Sequence, residues 1–239
     1  MKISVVTVCY NSEKTIRQTI ESVINQTYRD IEYLIIDGKS EDRTWSIINE
    51  YSDDERIIAL SEKDDGLYDA MNKATDLSTG DYIIFLNSGD FFVDKNVLAN
   101  IIPKVRGDIT YGNVIRIREN GEYVERYGNR TYVKILLLFG KMVCHQTMFI
   151  KTNIMKKYKY DLRYIITADF NFLCRCVKDK RKLFYVNQNV AYMDNRTGIS
   201  STLSNIPIMW NEDDESLNSC FPILFRLVYP LKRFKRLIS

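Results

Sequence analysis

The chain is poor in the residues that build metal clusters and disulfide frameworks. It holds one histidine, His145, and five cysteines (Cys9, Cys144, Cys174, Cys176 and Cys220), none of them spaced as CxxC. Neither a zinc site nor a disulfide scaffold is suggested, and reduced thiols of a cytoplasmic protein are expected. Ten glycines occur, yet neither GxGxxG nor GxxxxGK[ST] appears, which removes the two loops that cradle phosphates with backbone amides. No apolar run approaches the ~20 residues of a membrane span. The opening segment from Met1 to Val8 is short and leads into Tyr10-Asn11 in place of a small-residue cleavage site, so it reads as a strand. Acids are missing from residues 220–239, where Arg226, Lys232, Arg233, Lys235 and Arg236 stand alone. The net charge of +3 therefore divides into +5 in this tail and −2 in the body. That division argues against a nucleic-acid surface spread over the domain and for one local anionic partner, membrane lipid being the candidate.

What is present suits a folded domain. With 239 residues, 45% hydrophobic and 27% charged, the chain is long and apolar enough for one large domain with its own core. Residues 3–8 are nearly continuous apolar and β-branched, the pattern of a strand covered on both faces. Residues 13–26 follow with Ile16, Ile20, Val23 and Ile24 at helical spacing and Asn11 or Ser12 to cap the start. Strand and helix signals then alternate: strand 31–36, helix 44–51, strand 57–60, helix 68–77, strand 82–86. This alternation predicts an α/β fold with a mostly parallel sheet and helices on its faces. After Gly107 the grammar changes. Residues 109–118 and 122–127 predict a hairpin across Asn120-Gly121. Helices are expected at 132–139, 153–157 and 168–177, and strands at 147–150 and 183–193.

Three strands end in polar clusters: Thr7, Tyr10 and Asn11; Asp37-Gly38; and Asn87-Ser88-Gly89-Asp90. Parallel sheets bind ligands at the carboxyl ends of their strands, so these clusters are expected to share one crevice. An aspartate there accepts from ribose or base donors, and Tyr10 offers a face for stacking. Asp90, beside Gly89 and straight after a buried strand, is placed to bind Mg²⁺ or Mn²⁺ bridging a diphosphate.

Three segments, Val6-Thr7-Val8-Cys9-Tyr10-Asn11, residues 35–44 around Asp37-Gly38, and Phe85-Leu86-Asn87-Ser88-Gly89-Asp90, resemble the family 2 inverting glycosyltransferases. Residues 61–73, including Asp64, Gly66 and Asn72, resemble a segment of bacterial members that build surface polysaccharides. The resemblance is clear over residues 3–100 and weaker to about 200. It implies a GT-A fold, a nucleoside diphosphate sugar donor and a saccharide or lipid-linked saccharide acceptor. By it Thr7, Tyr10, Asn11, Asp37, Gly38, Asp64, Gly66, Asn72 and Asn87 serve the nucleotide sugar, and Asp90 the divalent cation. The family's acidic DXD-type motif is reduced here to Asn87-Ser88-Gly89-Asp90, with only its last acid kept. Cys144-His145-Gln146-Thr147-Met148-Phe149 and Thr167-Ala168-Asp169-Phe170 resemble acceptor-side motifs, which makes Asp169 the catalytic base. For His145 a structural role and a metal-side or acceptor-side role stay open. Thr197-Gly198-Ile199-Ser200 resembles a segment that closes over the diphosphate.

The expected organisation is a transferase domain over 1–215, divided into a nucleotide-binding half (1–106) and an acceptor-side half (107–215), followed by a basic amphipathic tail (216–239). In the tail Leu224, Leu227, Val228, Leu231, Phe234 and Ile238 keep helical spacing, with Pro230 expected to kink it. Packing on the body and docking on a membrane surface both fit that pattern. Two rival functions are a sugar nucleotidyltransferase, which lacks its basic glycine-rich loop here, and a non-catalytic sugar-nucleotide-binding subunit.

Overall fold

The first strand, β1 (Ile3–Cys9), has every residue buried, and its side chains alternate between two cores. Val6 and Val8 enter one, Ile3, Val5 and Cys9 the other. β2 (Ile31–Asp37) does the same, with Leu34 and Ile36 opposite Tyr33 and Ile35, and so does β4 (Tyr82–Phe85), with Ile83 and Phe85 opposite Tyr82 and Ile84. A period of two on a strand buried on both faces produces this split. Helix α1 (Ile16–Ile24) covers one face through Ile16, Ile20 and Val23. The other is covered by α3 (Leu67–Leu77) through Tyr68, Ala70, Met71 and Ala74. Helix α2 (Thr44–Asn49) and strand β3 (Ile57–Ser61) complete this half, with β3 pairing parallel to β2.

The computed structural model describes residues 1–194 and 202–238, so the Thr197-Gly198-Ile199-Ser200 segment lies outside the described residues, as do the side chains of Phe234 and Ile238. The second half does not form a separate layer. It extends the same sheet, in the order β3-β2-β1-β4-β8-β6-β9-β5, through β5 (Phe91–Phe92), β6 (Ile109–Arg118), β8 (Met148–Lys151) and β9 (Leu183–Asp194). β8 runs antiparallel to both β4 and β6, whereas β6 and β9 are parallel to each other. The hairpin partner β7 (Gly121–Glu125) pairs Gly121 with Arg118, so the tight turn is Glu119-Asn120, one residue earlier than expected. Gly121 sits at φ +115° as the first residue of β7, a conformation that glycine adopts without a Cβ penalty.

Helices α4 (Val97–Ile101), α5 (Arg130–Leu138), α6 (Thr152–Tyr158) and α7 (Ala168–Lys178) flank this half. The five cysteines are buried and free, Cys174 and Cys176 among the fully buried core residues of α7. At the C-terminus two helices stand where the sequence pattern indicated one. α8 (Ile206–Cys220) precedes α9 (Pro222–Ile238), which continues as helix with Pro230 inside it. α8 escapes a periodicity search because part of what it buries is polar: Glu212, Asp213 and Ser216 lie inside with Leu217 and Cys220. Two of the tail's cations are drawn inward, since Lys232 Nζ reaches Asp214 Oδ1 at 2.8 Å and Arg236 pairs with Asp214 Oδ2 at 2.6 Å.

Candidate active site

Strands β2, β1 and β4 are adjacent and parallel, so the loops that leave their carboxyl ends emerge on one edge. Because β8 runs antiparallel to β4, the turn that leads into it, His145–Thr147, is brought to that same edge. The loops are tied together. Thr15 Oγ1 and Ser88 Oγ are 2.9 Å apart, and Thr19 Oγ1 accepts from Gly89 N and donates to Asp90 O.

On the β2 side, Gly38 faces Tyr10 and Asp64: a Cβ at residue 38 would lie 2.6 Å from Asp64 Oδ2 and 3.4 Å from the Tyr10 ring. Tyr10 is 59% exposed, as a stacking face requires. Asp64 accepts from Gly66 N at 3.0 Å, with Gly66 at φ +113° at the start of α3. Asn11 takes the left-handed conformation (φ +47°), its amide N–H donating to Ser40 Oγ and its side-chain oxygen accepting from Glu41 N. Asp37 is fully buried and accepts from Ser40 N, Ser40 Oγ and Ser61 Oγ, so it shapes this loop from within. Thr7 is also fully buried, its hydroxyl donating to Leu86 O and meeting Tyr33 Oη. Asn72 is held away from the crevice chemistry, since both ends of its amide pair with the Tyr160 backbone at 2.9 Å. For the nucleoside diphosphate that the family resemblance implies, Gly38→Ala is expected to weaken binding at least tenfold with unchanged far-ultraviolet circular dichroism, because the methyl must displace the Asp64 carboxylate; calorimetric titration of nucleoside diphosphates checks it.

On the β4 and β8 side the remaining residues meet. His145 Nδ1 and Asp169 Oδ2 are 2.9 Å apart, and His145 Nε2 lies 3.2 Å from Asn87 Nδ2. An ionised Asp169 only accepts, so Nδ1–H donates to it, and Nε2 of the neutral ring then accepts from the Asn87 amide. Asp169 Oδ1 accepts from Phe170 N at 2.9 Å and faces Tyr68 Oη at 3.0 Å, whose single proton is shared with Ile166 O at 2.7 Å. Asp169 therefore sits at the first turn of α7, oriented by an imidazole and a phenol.

Asp90 is 7% exposed, and its Oδ2 accepts from Gln146 Nε2 at 2.9 Å. Burial pushes its carboxyl up to about 6, partly offset by the Gln146 hydrogen bond and by nearby His145. Gln146 Oε1 and Asn87 Oδ1 are buried acceptors without a hydrogen-bond partner among the described residues. One carboxylate and two idle amide oxygens are hard donors of the kind Mg²⁺ and Mn²⁺ take, with substrate phosphates to fill the rest of the shell. Among the described residues no group of three or more His, Cys, Asp or Glu forms a self-sufficient metal cage. The residues thus fit a cation shared with a diphosphate.

The family described as Glycosyl transferase family 2 matches residues 4–180, which include every site residue discussed above. The chain belongs to glycosyl transferase family 2. A relative, the PGL/p-HBAD biosynthesis glycosyltransferase of Mycobacterium bovis (strain BCG / Pasteur 1173P2), is 32% identical over 192 residues, covering 77% of this chain and 73% of that one. The UDP-Glc:alpha-D-GlcNAc-diphosphoundecaprenol beta-1,3-glucosyltransferase WfaP of Escherichia coli is 38% identical over 99 residues, 41% of this chain and 39% of that one. Among solved structures, S. aureus TarS 1-349 superimposes with a TM-score of 0.71 at 18% identity, covering 92% of this chain and 66% of that chain. This chain thus spans about two thirds of that solved chain, and the likeness shows the GT-A fold.

Three residues that hold this transferase's site together were not singled out from the sequence. Gln146 and Tyr68 lay inside segments recognised for their neighbours, and their roles depend on contacts across 56 and 101 positions of chain. Glu212 carried no signal. From α8 its carboxylate accepts from Ile165 N (2.7 Å), Ile166 N (3.0 Å), Thr167 N (2.8 Å) and Thr167 Oγ1 (3.2 Å). It satisfies the amides that lead into α7, two residues before Asp169, as a capping carboxylate does at a helix start.

Proposed function

We propose that this family 2 glycosyltransferase moves one sugar from a nucleoside diphosphate carrier, a uridine nucleotide, to a saccharide or lipid-linked saccharide acceptor with inversion, in polysaccharide assembly at the inner face of the cytoplasmic membrane. The observation that carries the reading is Asp169, a carboxylate oriented by His145 and Tyr68 beside the loop that ends in Asp90. An acceptor hydroxyl is a poor nucleophile at neutral pH, and Asp169 is the base that takes its proton during attack. His145 keeps the base aimed and steadies the charge it carries. With one base and no second nucleophile assigned, displacement occurs once and the anomeric configuration inverts. Tyr10, Asn11, Gly38, Asp64 and Gly66 form the nucleotide side, with Asp37 holding their loop. Asp90, Asn87 and Gln146 would hold Mg²⁺ or Mn²⁺, whose positive charge offsets that of the departing diphosphate. Two of the similar proteins support this choice: WfaP is a UDP-Glc transferase acting on a diphosphoundecaprenol-linked sugar, and TarS, alike in fold, is solved with UDP-GlcNAc.

The cation site sets a pH dependence. Asp90 binds a cation only when ionised, so Mn²⁺ affinity in the presence of uridine diphosphate is expected to hold above pH 7 and to fall about tenfold per unit below pH 6. Asp90→Asn removes the Mn²⁺ dependence altogether; calorimetry from pH 5 to 8 measures both, and an unaltered Mn²⁺ response in the variant places the ion elsewhere. Stability shifts the opposite way. A folded-state pKa raised above the unfolded value contributes stability below about pH 4 and loses it as pH rises through 6. At pH 8 Asp90 is a buried charge, and Asp90→Asn is expected to raise metal-free stability by about 1–3 kcal/mol.

A further inference from the structure

The exposed apolar side chains are not scattered. Half of the large hydrophobic residues exposed among those described lie on α5 and α9 or at their ends, and these two helices touch. On α9, Leu224 (47% exposed), Leu227 (69%) and Leu231 (62%) follow at i, i+3 and i+7, one stripe of the helix. The stripe one residue on, Phe225, Val228 and Lys232, is partly or fully buried, which fixes the first stripe outward. On α5, which touches α9, Tyr132 (46%) and Ile135 (49%), with Phe139 (48%) just beyond, are exposed as well.

The two helices themselves carry charge of one sign, the acids near them, Asp213 and Asp214, coming from α8. No acid occurs from Arg126 to Tyr160 or from Ser216 to Ser239. Lys232 and Arg236 share one acid, Asp214, in ion pairs at the α8 side, whereas Arg226 and Arg233 on α9 and Lys134 and Lys141 on or beside α5 are exposed. Exposed apolar side chains accompanied by exposed cations, on two helices that contribute no acid, complement the interface of an anionic bilayer, where the apolar face enters the acyl boundary and the cations meet headgroups. A symmetric pair of copies meeting on this patch would set these cations against each other.

We infer that α5 and α9 together form a face that docks on an anionic membrane surface. α5 also packs against α7, the helix that carries Asp169, so the docked face adjoins the acceptor side of the site. Resting on the proposed transfer to a lipid-linked acceptor, this arrangement lets the lipid stay in the bilayer while its sugar end reaches Asp169. The face differs from a simple basic tail: α5 supplies part of it, and two of the tail's five cations are used inside the protein.

The test uses the full chain, because truncation after residue 215 would cut through α8. Partition is measured by co-sedimentation with vesicles of phosphatidylglycerol and phosphatidylcholine, and with phosphatidylcholine alone. Wild type is expected to bind the anionic vesicles, to release as salt is raised, and to bind the neutral ones at least tenfold more weakly. The triple variant Ile135→Gln, Leu227→Gln, Leu231→Gln changes only exposed positions, and it is expected to lose at least tenfold in partition with nucleotide binding unchanged. A single Arg226→Gln is expected to lower partition and flatten its salt dependence. Equal partition of wild type and triple variant overturns the proposal, as does a wild-type dimer in solution that the triple variant disperses. Transfer to a water-soluble acceptor is assayed in parallel: its absence with vesicle binding intact counts against the transferase reading and not against the docking face.

Discussion

Asp169→Asn is expected to lower sugar transfer by about two to four orders of magnitude while nucleotide and cation binding stay unchanged. Asparagine has nearly the same shape, and its oxygen still accepts from one of the neighbours that hold Asp169, His145 Nδ1 or Tyr68 Oη. What it cannot do is take a proton from an attacking hydroxyl at neutral pH. The proposed nucleotide side, Tyr10, Gly38 and Asp64, lies by β1, β2 and α3, so binding and chemistry are expected to separate in this variant. Single-turnover transfer and calorimetry on the same preparation read the two quantities. Product analysis by nuclear magnetic resonance is expected to show a β-linked product from an α-linked donor. Wild-type turnover in Asp169→Asn, or a retained anomer, would remove Asp169 from the role of base and turn attention to His145.

The second large effect is on folding. Glu212→Ala is expected to destabilise the protein by about 3–5 kcal/mol, because three backbone amides and a threonine hydroxyl lose an ionised acceptor inside the protein. For a chain of this length that corresponds to a fall in melting temperature of about 10 °C. Glu212→Gln keeps one acceptor oxygen and is expected to fall between the two. Differential scanning calorimetry measures the series. Because the released amides lead into the helix that carries Asp169, the variants should also lose kcat more than they change KM. A Glu212→Ala protein that melts within two degrees of wild type would show that α8 does not brace this turn.

The residues that were legible share one property: their signal is local. The apolar β-branched runs of β1, β2 and β4 identify strands covered on both faces, and polar clusters at their ends identify a binding edge wherever such strands lie parallel. Asp90 and Asp169 were found through short motifs, and the structure places both at that edge. The hairpin was legible to within one residue, the turn falling on Glu119-Asn120 because Gly121 already pairs with Arg118. Thr7 and Asn72 mark the opposite case. A hydroxyl or amide in a motif looks the same whether it faces a ligand or the protein, and here Leu86 and Tyr160 take them.

Strand pattern, helix spacing and motif order, all set within a few residues of one another, by themselves determined the α/β class, the parallel first half and the strand ends at which the polar clusters meet. Only the tertiary structure decided how the second half joins. β8 enters the sheet antiparallel to β4, which carries His145 to the end of β4 and Gln146 onto Asp90. It also decided that a polar stretch without apolar rhythm becomes α8, because Glu212 finds three amides there and Asp214 finds Lys232 and Arg236. Such partners are separated by 18 to 101 positions, and a carboxylate's sequence neighbours carry no record of a donor that only folding brings within 3 Å.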